Sequence, residues 1–282
     1  MNIEKTENIE SGDGIVMVVY GGPKSGKTTF ATSTSKHGKT LLIDFENGGK
    51  YLGERGINVD ILRMNDWFSE KEVKDLKEVI KDYEFIIIDP VGEAMDFLIT
   101  GQMVRGSKMR QQDGSLTMAG WGEVKNRMRG FIKWLRSTGK NVILVFHDER
   151  YKFENELYHS LMIATKLKDV IPGMVEIISY LGIQKDENGL PKRILYTPAQ
   201  GGTFDSGDRT GRVPKKVEIS EFDGWSDFLN SLKSKKSLLP EDNKSPAEEK
   251  LEEVQKVIEE ALEGDVIDIE LSNNEQAEDV KN

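Results

Sequence analysis

Short unbroken apolar runs alternate with amphipathic stretches through the first half of the chain. IVMVVY (residues 15–20), TLLIDF (40–45), FIIID (85–89) and NVILVF (141–146) show almost no polar alternation. Such runs are expected of strands covered on both faces of a parallel sheet. Helical periodicity fills the gaps. Residues 28–36 predict a helix stopped near Gly38, and residues 69–81 an amphipathic one, with Ser69 and Glu72 spaced as a capping box. Residues 92–100 predict a short helix. Residues 120–137 predict a long one, with Trp121, Val124, Met128, Ile132 and Leu135 along one face. After Pro172 the pattern changes to VEIISYLGIQ, RILYTP and KKVEIS, separated by turn signals such as DENG. These predict antiparallel strands that extend the sheet. The expected fold is α/β, a mainly parallel twisted sheet with helices on both faces and an antiparallel C-terminal extension.

The same pattern divides the chain. Residues 1–13 are polar and read as a flexible N-terminus, and residues 14–232 as one domain. Residues 233–244 read as a polar linker. Residues 245–264 form an acidic amphipathic helix opened by Ser245, Pro246 and Glu248. Leu251, Val254, Ile258, Ala261 and Leu262 form its stripe and Gly264 closes it. Residues 265–282 read as a disordered acidic tail.

Composition changes this picture in two places. The formal net charge is -10, but from Pro240 onward 4 lysines face 15 acidic residues. The remainder is close to neutral, so overall acidity does not argue against a nucleic-acid partner for the body. The chain has no cysteine and three histidines without metal-ligand spacing. That excludes disulfides and cysteine-ligated zinc and fits a cytoplasmic setting. No apolar run approaches the roughly 18 residues needed to span a bilayer, so no membrane partner is expected.

The most specific motif is GGPKSGKT, with Gly21, Gly26, Lys27 and Thr28 at the fixed positions of G-x-x-x-x-G-K-[ST]. It follows a buried-strand pattern and opens a helix, as a phosphate loop must. The glycines let the backbone turn its N–H groups toward phosphate. Lys27 supplies a point charge for the β- and γ-phosphates, and the Thr28 hydroxyl takes one Mg²⁺ position. The residues expected to hold ATP are therefore Gly21, Gly22, Pro23, Lys24, Ser25, Gly26, Lys27, Thr28 and Thr29. The blander reading is a glycine-rich turn with an incidental Lys-Thr.

A phosphate loop needs a second acidic residue for the metal, and Asp89 ends the run FIIID where that residue belongs. The next residue is Pro90, which cannot act as a base. Glu46, after the second strand in LLIDFENGG, and Glu93, four residues past Asp89, compete for that role. Glu46 is favoured, on the expectation that its strand neighbours the phosphate-loop strand and faces the γ-phosphate across the carboxyl edge. Otherwise Glu46 is a turn residue before Gly48 and Gly49. His147 ends the fourth strand at the same edge, positioned to sense the γ-phosphate, although a lone histidine is more often structural.

Two further segments carry candidate chemistry. QMVRGSKMRQQDGSLT, residues 102–117, holds Arg105, Lys108 and Arg110 against Asp113 alone. A glycine-containing loop of this length suits a sugar-phosphate backbone, or else is a solvated loop. The loop expected after His147 carries Tyr151, Phe153 and Tyr158, which suit stacking on bases, although its charge is near balance.

Together these motifs resemble the RecA-like ATPase core. Asp44-Phe45-Glu46 matches that family's acidic-x-Glu, whose glutamate is the catalytic base. Asp89 matches its Walker-B aspartate, with Asp-Pro in place of the common Asp-Ser. His147 stands where a polar sensor, usually glutamine, ends the next strand. More narrowly, GGPKSGKTT, LLIDFENG, the helix near Trp121 and VILVFH look like phage-type (Sak-type) ATP-binding recombination proteins. The resemblance covers residues 14–232. It implies a Mg²⁺-dependent, DNA-stimulated ATPase acting on single-stranded DNA in recombination, annealing or repair, and oligomeric, in the host cytoplasm if phage-encoded. It further implies a basic residue supplied by a neighbouring subunit, with Arg209 and Arg212 of FDSGDRTGRVPKK as candidates. The acidic tail would dock on a replication or recombination partner or solubilise the chain. The alternatives are a helicase or helicase loader, a non-catalytic nucleotide switch, and a small-molecule kinase.

Overall fold

A computed structural model of the chain describes residues 14–63, 70–100, 108–164, 167–197 and 203–232. The capping Ser69, Arg105 and everything from residue 233 onward, including the tail helix, lie outside the described residues. Chain contacts separate a first unit ending at Lys233 from a second beginning at Ser234.

The four apolar runs form β1 (Val16–Gly21), β2 (Thr40–Asp44), β4 (Phe85–Asp89) and β5 (Asn141–Phe153), all parallel where they pair. The sheet order is β10-β8-β7-β1-β5-β4-β2-β3. Here β3 is Asp60–Arg63, β7 Ile177–Lys185, β8 Pro191–Tyr196 and β10 Lys216–Ile219. This order corrects one expectation. β2, which leads into Glu46, does not neighbour β1, because β5 and β4 lie between them. The strand beside β1 on that flank is β5, which carries His147.

Strand parity assigns every buried side chain to a face. Val16, Val18 and Tyr20 of β1 point to one face together with Ile86 and Ile88 of β4 and Leu144 of β5. Met17 and Val19 point to the other with Ile87 and Ile143. On the first face lie α2 (Glu70–Val79), α3 (Val91–Thr100) and α4 (Met118–Ser137), through residues such as Leu76, Leu98 and Met128. α4 buries Val124, Met128, Ile132 and Leu135, and Trp121 packs partly buried beside them, so the spacing read from sequence is the face used. Its start lies two residues earlier than expected, because Thr117 caps it by accepting from Gly120 N at 3.1 Å. The second face is covered by α1 (Lys27–Thr32) and the C-terminal helix Gly224–Ser231, through Phe30, Trp225 and Phe228.

Three further differences from the sequence pattern have local causes. β7, the first of the three C-terminal segments expected to be antiparallel, pairs parallel with β1, while β8 and β10 continue antiparallel. The segment after His147 is no loop. β5 runs on to Phe153 and turns at Glu154 and Asn155, both at positive φ, before returning as β6 (Glu156–Leu161). Positive φ at both central residues is the hairpin turn that matches strand twist. The polar-apolar alternation Arg150-Tyr151-Lys152-Phe153 is the pattern of a half-exposed strand. β3 is an edge strand with mostly exposed side chains, too polar to register as an apolar run.

Candidate nucleotide site

The phosphate loop leaves the carboxyl end of β1 and enters α1. Gly21 closes β1 where a Cβ would lie 2.3 Å from Leu181 O of β7, so no side chain fits. Gly26 precedes α1 at φ 99, a conformation open to glycine. Lys27 is buried, and its Nζ donates to Gly21 O at 3.0 Å and Gly22 O at 2.9 Å. Burial holds the Lys27 ammonium below its usual pKa, opposed by the nearby carboxylates of Asp89, Glu46 and Asp148.

Asp89 ends β4 directly across from the loop. Its buried Oδ2 accepts from Thr28 Oγ1 at 2.6 Å. Burial pushes its pKa up to about 6, against the lowering effect of the Thr28 hydroxyl and Lys27. The Asp89–Pro90 peptide is cis.

Glu46 is positioned by a turn that Asp44 builds. The Asp44 carboxylate accepts from Glu46 N at 3.2 Å, Gly48 N at 3.1 Å and Gly49 N at 2.9 Å. Three amide donors on one carboxylate fix the loop that carries Glu46. Although β2 lies two strands from β5, Glu46 Oε1 reaches His147 Nε2 at 2.8 Å. Glu93, the weaker rival, has its pKa raised by burial and by the charge of Glu46.

These groups open on one cleft of about 540 Å³. Lys27, Thr28, Glu46, Asp89 and His147 all line it, with Pro23, Lys24, Gly26 and Thr29 of the loop. Its lining also holds residues that no motif announced: Tyr51, Leu52 and Arg55 beyond Glu46, and Arg193 of β8 with Glu221. Nothing in the local sequence around Arg193 marks it. The register of β8 against β7 brings it to the loop.

The donors present fit a magnesium nucleotide. Lys27 Nζ is held by carbonyls of its own loop, and the buried Ser25 Oγ has no hydrogen-bond partner. Phosphate oxygens of a bound nucleotide would answer both. One hydroxyl and one carboxylate, Thr28 and Asp89, are what Mg²⁺ takes from a protein when phosphates and water supply the remaining ligands.

Other candidates lie elsewhere. Arg209 follows β9 (Gly207–Asp208), which pairs with Ile177 and Ile178 at the start of β7. That is the amino edge of the sheet, opposite the phosphate loop. Arg209 lines a separate cavity of about 510 Å³, and its Nη2 donates to Gly173 O at 3.1 Å. Arg212 follows on the same segment, its backbone N donating to Thr210 Oγ1 at 3.2 Å. Neither lines the cleft of its own chain. In the basic segment Lys108 is exposed. Arg110 is committed to the local fold, donating to Gly114 O at 2.7 Å and to Ile99 O.

A phosphate loop on a central parallel strand, a Thr28–Asp89 hydrogen bond and a glutamate at the same edge are the layout of a P-loop ATPase. A family model described as AAA domain matches residues 13–210, and the chain belongs to that family. No curated protein matches. Among solved structures, the flagellar accessory protein FlaH from Methanocaldococcus jannaschii is similar over 76% of this chain and 88% of that one, with 9% identity and a TM-score of 0.39. Among the described residues no helix is long and apolar enough to cross a membrane.

Proposed function

We propose that this protein hydrolyses Mg-ATP and uses the cycle to act on single-stranded DNA in recombination, annealing or repair. The observation that carries hydrolysis is the convergence of Glu46 and His147, 2.8 Å apart, on the cleft that holds Lys27, Thr28 and Asp89. Lys27 binds the phosphate chain, and Thr28 and Asp89 hold the metal. Bound Mg²⁺ neutralises phosphate charge. Glu46 orients the attacking water and accepts its proton. His147 holds Glu46 by one carboxylate oxygen.

Support for DNA lies in the continuity of β5. The strand that ends the cleft at His147 runs without a break into a hairpin with Tyr151 and Phe153 exposed. Tyr151 stacks on Tyr158 at 5.5 Å between ring centroids. Nucleotide state at His147 is thereby joined by one strand to aromatic groups suited to unpaired bases. Oligomers, with Arg209 or Arg212 acting on a neighbour's site, belong to this reading, since both sit on the opposite edge of the sheet. A second reading, a nucleotide switch with little turnover, draws on the engagement of Glu46 by His147.

The test is ATPase activity with and without single-stranded DNA, for wild type, Lys27→Ala and Phe153→Ala. Lys27→Ala should lose on the order of 10²-fold or more in turnover. Phe153→Ala should keep basal turnover and lose stimulation by DNA. Wild-type turnover indifferent to DNA, with no DNA binding in ATP at low salt, sinks the DNA reading. Turnover no higher than that of Glu46→Gln selects the switch.

A further inference from the structure

We propose that Arg193 binds the phosphate chain of the nucleotide in the cleft of its own chain, exchanging Glu221 for phosphate oxygens; this rests on the nucleotide reading above. Arg193 stands on β8 opposite Ile183, near the carboxyl end of β7, and β7 lies beside β1. The register therefore delivers it to the flank of the phosphate loop away from Glu46 and His147. It is packed so closely there that a Cβ on Gly26 would lie 2.8 Å from Arg193 Nε and 3.2 Å from its Cδ. Glycine at position 26 thus serves twice, for its positive φ and for admitting the guanidinium.

The guanidinium is underused. Its Nε is buried and has no hydrogen-bond partner. Its Nη2 lies 3.4 Å from Glu221 Oε1, long beside the 2.7–2.9 Å usual for charge-assisted pairs, and the Glu221 side chain is 47% exposed. A solvent-screened carboxylate at that distance is a weak competitor. An arginine fork with free donors, beside a loop built for phosphate, matches paired phosphate oxygens better than one distant carboxylate. Lys27 is held quite differently, by two carbonyls at 2.9 and 3.0 Å. Arg193 therefore adds a second cation to the phosphate site from a strand that carries no nucleotide motif.

The test is ATP and ADP affinity by calorimetric titration, with melting of the nucleotide-free protein, for wild type, Arg193→Gln, Arg193→Lys, Glu221→Gln and Lys27→Ala. Arg193→Gln should weaken both nucleotides about tenfold, the loss of one charge-assisted contact. Arg193→Lys should fall between it and wild type. Glu221→Gln should tighten binding about threefold by removing the competitor, while lowering the melting temperature no less than Arg193→Gln. Opposite effects on affinity from the two partners of one ion pair are not produced by a purely structural pair. If both substitutions weaken binding, or neither changes it, the proposal is overturned. If Arg193→Gln does not fold, Glu221→Gln decides alone: tighter binding supports the proposal, and equal or weaker binding overturns it. A wild type that binds no ATP, with Lys27→Ala indistinguishable from it, overturns the nucleotide reading and this inference with it. Binding lost in Lys27→Ala but intact in Arg193→Gln overturns this inference alone.

Discussion

The two flanks of the cleft are built in different ways. On one flank β4, β5 and the turn after β2 bring Asp89, His147 and Glu46 to a single edge: Asp89 at the end of its strand, Glu46 just past the end of its own, and His147 where the apolar run of β5 ends. In the proposed mechanism these are the groups for water and metal, and each is locked by a short contact: Thr28 to Asp89 at 2.6 Å, His147 to Glu46 at 2.8 Å. On the other flank an antiparallel strand brings Arg193 in sideways, held by a 3.4 Å contact to Glu221. Parallel strands all deliver their carboxyl ends to the same edge, so chemistry placed there needs only a residue at the right end of the right run. An antiparallel strand delivers a mid-strand side chain, and its usefulness depends on register. The first flank is accordingly suited to chemistry and the second to affinity.

Substitutions can break this division. Glu46→Gln should reduce turnover by about 10²–10⁴-fold, the range for a lost general base, while ATP affinity stays within about threefold. Steady-state rates with calorimetric affinities check it. A matching loss of affinity would mean the flanks are not separate. Asp89→Asn bears on the cost of the metal pair. Burial raises the Asp89 pKa to about 6 from an ordinary value near 4, so the folded protein holds a proton more tightly than the unfolded chain. Stability from this group is therefore full below about pH 4 and lost as pH rises through about 6. Near pH 7–8, in the absence of metal, Asp89→Asn should stabilise the protein by on the order of 2–3 kcal/mol in chemical denaturation, and the advantage should vanish near pH 4. Magnesium-dependent turnover should fall in the same variant. The smallest effect is expected from Gly26→Ala. A Cβ there meets Arg193 at 2.8 Å and forces a left-handed residue, at about 1–2 kcal/mol. ATP affinity should drop with stability, joining the loop to the second flank.

Legibility followed the same line. Asp89 and His147 could be read because a continuous apolar run has an unambiguous end. Glu46 was named for a reason the fold corrects: its strand lies beyond β5 and β4, and it reaches the cleft because Asp44 turns the chain back across that edge. The hairpin of β5 and β6 carried an alternation signal that its charged residues obscured, and β3 was hidden by its exposure. Arg193 carried no signal at all, because its place depends on pairing with residues ten positions away in β7.

By itself, the sequence determined the elements buried on both faces, the phosphate loop and its lysine, and the strand-end acid Asp89 beside that loop. These depend on local periodicity and on spacings of a few residues, which a linear pattern encodes. Strand order, the turn that swings Glu46 onto His147, the commitment of Arg110 to the carbonyls of Ile99 and Gly114, and the arrival of Arg193 beside Gly26 were decided only in the tertiary structure. Each rests on pairing between segments distant in the chain, where the choice of partner is made by burying the whole sheet at once.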